Sequence, residues 1–214
     1  MGLAVEVGML VGLIGEDEEG AQWTREAFAK INEVLKENGY AEHNEPEQLP
    51  VLSTRANIIG FPYSFIHYLR RLYAHTSFDP DWVPTPTPEN TDPSDDPVVF
   101  DEASMMSSHL LCHSDCEGYY MPIEFEEVIF ADPDDDRVPG GMLGSSYALR
   151  AELIEVAPKL EITLNGTELS DAEVEKINQY VEAEETYWIE KVVWLALFEA
   201  TRLSIEHKTA VCFC

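Results

Sequence analysis

The chain has 214 residues, 45% of them apolar, with 41 Asp and Glu against 13 Lys and Arg, for a formal net charge of −28. That apolar content supports a sizeable core and excludes global disorder, and the length suits a single domain over residues 1–214. The charge argues against direct binding to nucleic-acid phosphates, which needs clustered cations, and against docking on an anionic membrane; a basic protein or metal cations are the natural electrostatic partners.

The first apolar run, Leu3–Ile14 (LAVEVGMLVGLI), follows no positive charge, is interrupted by Glu6 and is too short to span a bilayer. Neither a secretory leader nor a membrane helix is read there, and the cytoplasm is the expected location. Asp17–Asn38 reads as a helix: Trp23, Ala27, Ile31, Val34 and Leu35 recur at helical spacing, and Asn38-Gly39 supplies a stop. After a polar link from Glu42 to Pro50, a second helix is expected over Phe61–His75, with Pro62 in its first turn and Phe65, Leu69 and Leu72 inward.

The charge is unevenly spread. Gln48–Phe78 contains no acid but carries Arg55, Arg70, Arg71 and two histidines; Asp79–Asp136 then carries seventeen Asp and Glu and no Lys or Arg. Six prolines between Asp79 and Pro97 predict an exposed, extended loop. Short β-type runs follow at Val98–Phe100, Ser108–His113, Tyr119–Phe125 and Val128–Phe130. The middle two flank the turn-rich Ser114-Asp115-Cys116-Glu117-Gly118 and predict a central hairpin. Asp132–Gly141 reads as another loop. Ser145 or Ser146 caps a helix running to about Ala157, and a small hairpin around Asn165-Gly166 is expected within Leu160–Leu169. Ser170-Asp171-Ala172-Glu173 is a capping box opening a long helical stretch toward His207, with a break near Glu184–Thr186. The closing TAVCFC reads as a strand with core thiols. The expected fold is α+β: helices around a small, mostly antiparallel sheet with a long C-terminal helix.

His109, Cys112, His113 and Cys116 form the densest group of reactive side chains. Their spacing does not build a closed zinc site, and the acids beside Cys116 disfavour a thiolate. Asp132, Asp134 and Asp136 alternate like calcium ligands, but Arg137 stands where a glycine is required and Leu143 where a bidentate Glu is required. Gly140–Ser146 lacks the Lys of a phosphate-binding loop. Arg70 and Arg71 are expected to pair with the protein's own carboxylates. No metal or cofactor is expected.

The runs HSDCEGYYMPIEF (His113–Phe125), PGGMLGSSYAL (Pro139–Leu149) and FPYSFIHYLRR resemble a family of uncharacterised bacterial proteins. The resemblance spans most of the chain and implies no particular activity. Two readings follow from the residues. One is a non-catalytic acidic binding protein, of the inhibitor or immunity type, that meets a basic partner through Asp115, Glu117, Asp134, Asp135 and Asp136. Period-two alternation would turn Tyr119 or Tyr120 to solvent as an anchor. The other is a small enzyme or ligand-binding domain centred on the His109–Tyr120 hairpin and the Gly140–Ser146 turn. The sequence leaves the oligomeric state open.

Overall fold

The computed structural model describes residues 2–88, 90–132 and 136–214. Six strands form one mixed sheet: β1 (Leu3–Val7), β2 (Gly60–Phe61), β3 (Gly118–Met121), β4 (Ile129–Phe130), β5 (Met142–Ser145) and β6 (Val211–Phe213). Their spatial order is β2-β1-β6-β3-β5-β4, and only β3 and β5 run parallel. The helices are α1 (Met9–Leu13), α2 (Glu18–Glu37), α3 (Phe65–Phe78), α4 (Pro97–Ser104), α5 (His109–Cys112), α6 (Ser146–Val156), α7 (Asp171–Glu182) and α8 (Trp188–His207). The architecture is α+β, with a long C-terminal helix ahead of the last short strand.

Helices cover both faces of the sheet. On one, α2 packs Phe28, Ile31, Val34 and Leu35 against Tyr119, Met121, Leu143 and Cys212. On the other, α3, α6 and α8 bury Leu69, Leu153, Trp194 and Phe198 against Val5, Tyr120 and Phe213. The sequence of α8 is apolar nearly all round, as a helix enclosed by others must be, and it is buried continuously from Glu190 to Thr201. Its Trp194 indole N–H donates to the Leu153 carbonyl at 2.7 Å, so the largest core side chain leaves no polar atom unpaired.

β3 is the best enclosed strand, and all four of its residues are buried. A side-chain Cβ at Gly144, opposite Tyr120 on β5, would stand 2.2 Å from the Tyr120 ring, so only glycine admits this tyrosine. Tyr120 then donates its hydroxyl to the His109 carbonyl at 3.0 Å.

Several expectations are corrected. Val98–Phe100 is not a strand but the start of α4, where Asp96 caps the Val98 N–H and Pro97 occupies the first turn. Ser108–His113 is not a strand either; the Ser108 hydroxyl caps α5 by accepting the Leu111 N–H at 3.0 Å. The central hairpin is therefore absent, and β3 takes its neighbours from β6 and β5. Phe61 pairs with Leu3 in the sheet, and α3 begins at Phe65 and continues to Phe78. Trp23 is 59% exposed and lies off the inward stripe of α2.

One ion cluster fastens the loop before β2 to the core. Glu199 on α8 is fully buried and accepts from Arg55 Nη2 at 2.6 Å and from Arg202 Nη2 at 2.8 Å. Burial alone would raise its pKa, but the two guanidinium groups outweigh burial and hold it at about 2. A depressed carboxyl gives stability that is present above the ordinary Glu value and lost as pH falls through the folded one. Glu199→Gln is thus expected to cost about 3 kcal/mol at neutral pH by removing the buried carboxylate that two guanidinium groups share, leaving them only the exposed Asp171 and Glu206. It should also flatten the loss of stability from pH 4.5 down to about 2. Denaturant titrations across that range check both, and parallel acid limbs for the two proteins would contradict the assignment.

Candidate protein-binding surface

The acidic run folds back over the cationic helix that precedes it in sequence. Arg70 and Arg71 are neighbours on α3, about 100° apart around its axis, and they reach to opposite halves of the run. Arg70 is buried and donates through Nε to the Leu110 carbonyl at 2.9 Å and through Nη2 to the His113 carbonyl. Arg71 donates to the Asp96 carboxylate and the Thr85 carbonyl, at 2.9 and 2.8 Å. The expected carboxylate pairing holds for Arg71; Arg70 instead satisfies backbone carbonyls. Burial lowers the Arg70 pKa, and hydrogen bonds to carbonyls are how its charge is accommodated.

Two histidines extend this scaffold. His75 donates to Asp96 at 2.9 Å and stacks on Trp82, with ring centroids 4.6 Å apart. Burial would raise the Asp96 carboxyl, but hydrogen bonds from His75, the Val98 N–H and Arg71 leave it below the ordinary range. Two turns earlier, His67 bonds Asp115 at 3.2 Å and also feels the field of Asp92. Burial and the nearby Arg70 lower the His67 pKa, so at neutral pH its N–H reaches Asp115 as a neutral donor. Lys159 adds a further clamp by donating to the carbonyls of Pro80 and Trp82, at 2.7 and 2.6 Å. The proline-rich segment is thus fastened at Pro80, Trp82, Thr85 and Asp96.

None of the described acids in the run is buried. Asp96 and Asp115 are half-buried against their partners, Glu102 is half-buried, and the others are exposed. Because β3 and β5 run parallel, the loops entering them emerge at the same end of the sheet. A Cβ at Gly140 would come within 2.7 Å of the Glu117 carbonyl, so these two loops touch. Asp115, Glu117 and Asp136 therefore share one end of the molecule, where Asp136 lies 3.6 Å from Lys30 of α2. Asp134 and Asp135 lie outside the described residues.

Both tyrosines are buried, Tyr119 at 2% exposure and Tyr120 at 0%, which corrects the expectation of a solvent-facing anchor. The period-two argument assumed a strand with one wet face. β3 instead lies between two helical layers, so its alternation distributes side chains between two cores.

The reactive side chains of the expected hairpin are structural in their contacts. His109 accepts the Ser145 N–H at Nδ1 and donates from Nε2 to the Glu126 carbonyl, at 3.0 and 3.1 Å. His113 stacks on Tyr120 with centroids 4.2 Å apart, and burial drives its pKa down to about 3. Burial, then the Glu152 carboxylate, raises the Cys112 thiol. Glu152 accepts the N–H groups of His109 and Leu110 at 2.8 and 2.7 Å, and burial lifts its pKa to about 7. Among the described residues, no three His, Cys, Asp or Glu side chains are grouped to hold a metal ion. No helix among them is long and apolar enough to cross a membrane.

The comparison with known families gives one match: a family model described as "Putative DNA-mimic protein" matches residues 1–213. No curated protein and no solved structure matches.

The clamp at Asp96 generates a direct test. Asp96→Asn weakens the bonds from Arg71 and His75 and the cap on α4. If this releases about 1 kcal/mol of local stability, proteolytic nicking between residues 79 and 92 should speed up about fivefold. An unchanged nicking rate in limited proteolysis would mean that the segment is held by other contacts.

Proposed function

The chain belongs to this DNA-mimic family, and on that footing we propose that it binds a basic DNA-binding protein without catalysis and blocks that protein's access to DNA. The observation that carries this reading is the acidic run itself. From Asp79 to Asp136 no Lys or Arg interrupts the carboxylates, and the run's described acids reach the surface above a cationic scaffold. A basic cleft built to neutralise phosphates is also attracted to an array of fixed negative charges on a protein. Proteins of the inhibitor or immunity type use the same complementarity, which raises encounter rates and selects partners by charge.

Within this reading, Asp115, Glu117, Asp134, Asp135 and Asp136 form the acidic end that the partner meets first, continued by Asp92, Asp95 and Asp101. Tyr119 and Tyr120 support that end from beneath by fixing β3. The partner's cations, and no metal or cofactor, neutralise the carboxylates, and the cytoplasm is where the two proteins meet.

The test uses DNA-binding proteins eluted from DNA–cellulose and passed over the immobilised full chain. A captured protein should be displaced by duplex DNA and by salt, and purified partner, DNA and chain should form no ternary complex. Asp115→Asn/Glu117→Gln/Asp136→Asn should lower the association rate about tenfold while changing dissociation little. A stable ternary complex with DNA would overturn the reading.

A further inference from the structure

Five large apolar side chains described in the acidic run are exposed; Val83 and Phe130 stand on separate segments, and the other three come together. Phe100 is 72% exposed, Met105 71% and Met106 56%, all within or just after α4. Steps of three and four residues link Pro97, Phe100, Asp101, Ser104 and Met105, and all five are exposed, while Val99 faces inward. Phe100 and Met105 therefore lie on either side of Asp101 along one outward face. The inner side of α4 packs Val98, Val99 and Ala103 on the core, whereas Phe100 and Met105 leave most of their apolar surface in water.

Met106 adds an independent observation. It adopts φ +54°, a left-handed conformation that glycine or asparagine takes at lower cost. Its side chain is more than half exposed beside two further exposed apolar residues, which together make a patch rather than scattered single side chains.

We propose that this outward face of α4 is the anchor of the interface: Phe100, Met105 and Met106 seat in an apolar hollow of the basic DNA-binding protein, while Asp92, Asp95 and Asp101 meet cations on its rim. The proposal rests on the DNA-mimic reading and adds a determinant that carboxylates do not supply. Charge complementarity selects the occupant. Every acid around α4 belongs to a run without a single Lys or Arg, and the nearest guanidinium, Arg71, is already engaged by Asp96 beneath the helix. A second copy of a chain carrying −28 would be repelled from this face. The structure also divides the labour. Long-range attraction from the carboxylates governs encounter, and desolvation of an aromatic and two thioethers governs residence.

The experiment compares three full-length proteins, each immobilised and exposed to the same DNA–cellulose eluate and then to the purified captured protein. They are the unaltered chain, Phe100→Ser/Met105→Ser/Met106→Ser, and Asp92→Asn/Asp95→Asn/Asp101→Asn. Far-UV circular dichroism and melting confirm that each is folded, and Phe100→Ser alone serves as a milder variant. The apolar variant should associate within about twofold of the unaltered chain but dissociate at least tenfold faster; the acid variant should associate about tenfold slower. If the apolar variant dissociates normally while DNA still displaces the partner, the anchor is wrong and the mimic reading stands. If the unaltered chain captures nothing that DNA displaces, both fall together.

Discussion

Two adjacent arginines on α3 hold the acidic half of this protein in shape. Arg70 gathers the carbonyls that end α5, and Arg71 gathers Asp96 and the Thr85 carbonyl. The seventeen-acid run has no cation of its own, so its self-repulsion would favour an extended chain. Cations supplied from the preceding helix remove that tendency at two points and leave most of the other described carboxylates outward. The segregation of charge along the sequence thereby becomes a segregation in depth, with basic groups beneath and acidic groups above.

The sheet does the complementary work. A strand covered on both faces, β3, carries its entry loop to the same end as the loop entering β5, because the two strands are parallel. Gly144 makes room for Tyr120, Tyr120 fixes the His109 carbonyl, and His113 stacks on the same ring. Asp115 and Glu117 thus project from a rigid base, although their own loop has no regular structure. Rigid placement matters for a surface that competes with nucleic acid, because each carboxylate ordered before binding is one fewer to order during it.

Local chemistry was legible in the sequence wherever it depended on neighbours in the chain. The Ser170 cap, the Asn38-Gly39 stop and the break before Trp188 appear where the residues place them, whereas the hairpin at Asn165-Gly166 shrinks to a single bridge between Asn165 and Glu168. The α+β class followed from the same signals. The misreadings share a cause. Val98–Phe100 and Ser108–His113 were too short for periodicity to separate strand from helix, and the caps at Asp96-Pro97 and Ser108 were the signals that would have decided it. The two tyrosines failed differently: alternation gives two faces, but only the packing of α2 on one and of α8 with its neighbours on the other reveals that both are dry. Arg70 was assigned a carboxylate where it found carbonyls, a long-range pairing that no spacing encodes. The apolar face of α4 was hidden by the same error that made its first turn a strand.

On this account, the arrangement of the carboxylates matters more than their number, and Arg71→Gln separates the two. The substitution makes the chain more negative while removing the bonds that hold Asp96 and Thr85 in place. The measurement is the affinity of the folded variant for the DNA-displaceable partner, at a temperature where circular dichroism shows both proteins native. Weaker binding despite the added negative charge is the predicted result. Equal or tighter binding would show that net charge alone attracts the partner, and would contradict the claim that the arginine-held surface is what the partner recognises.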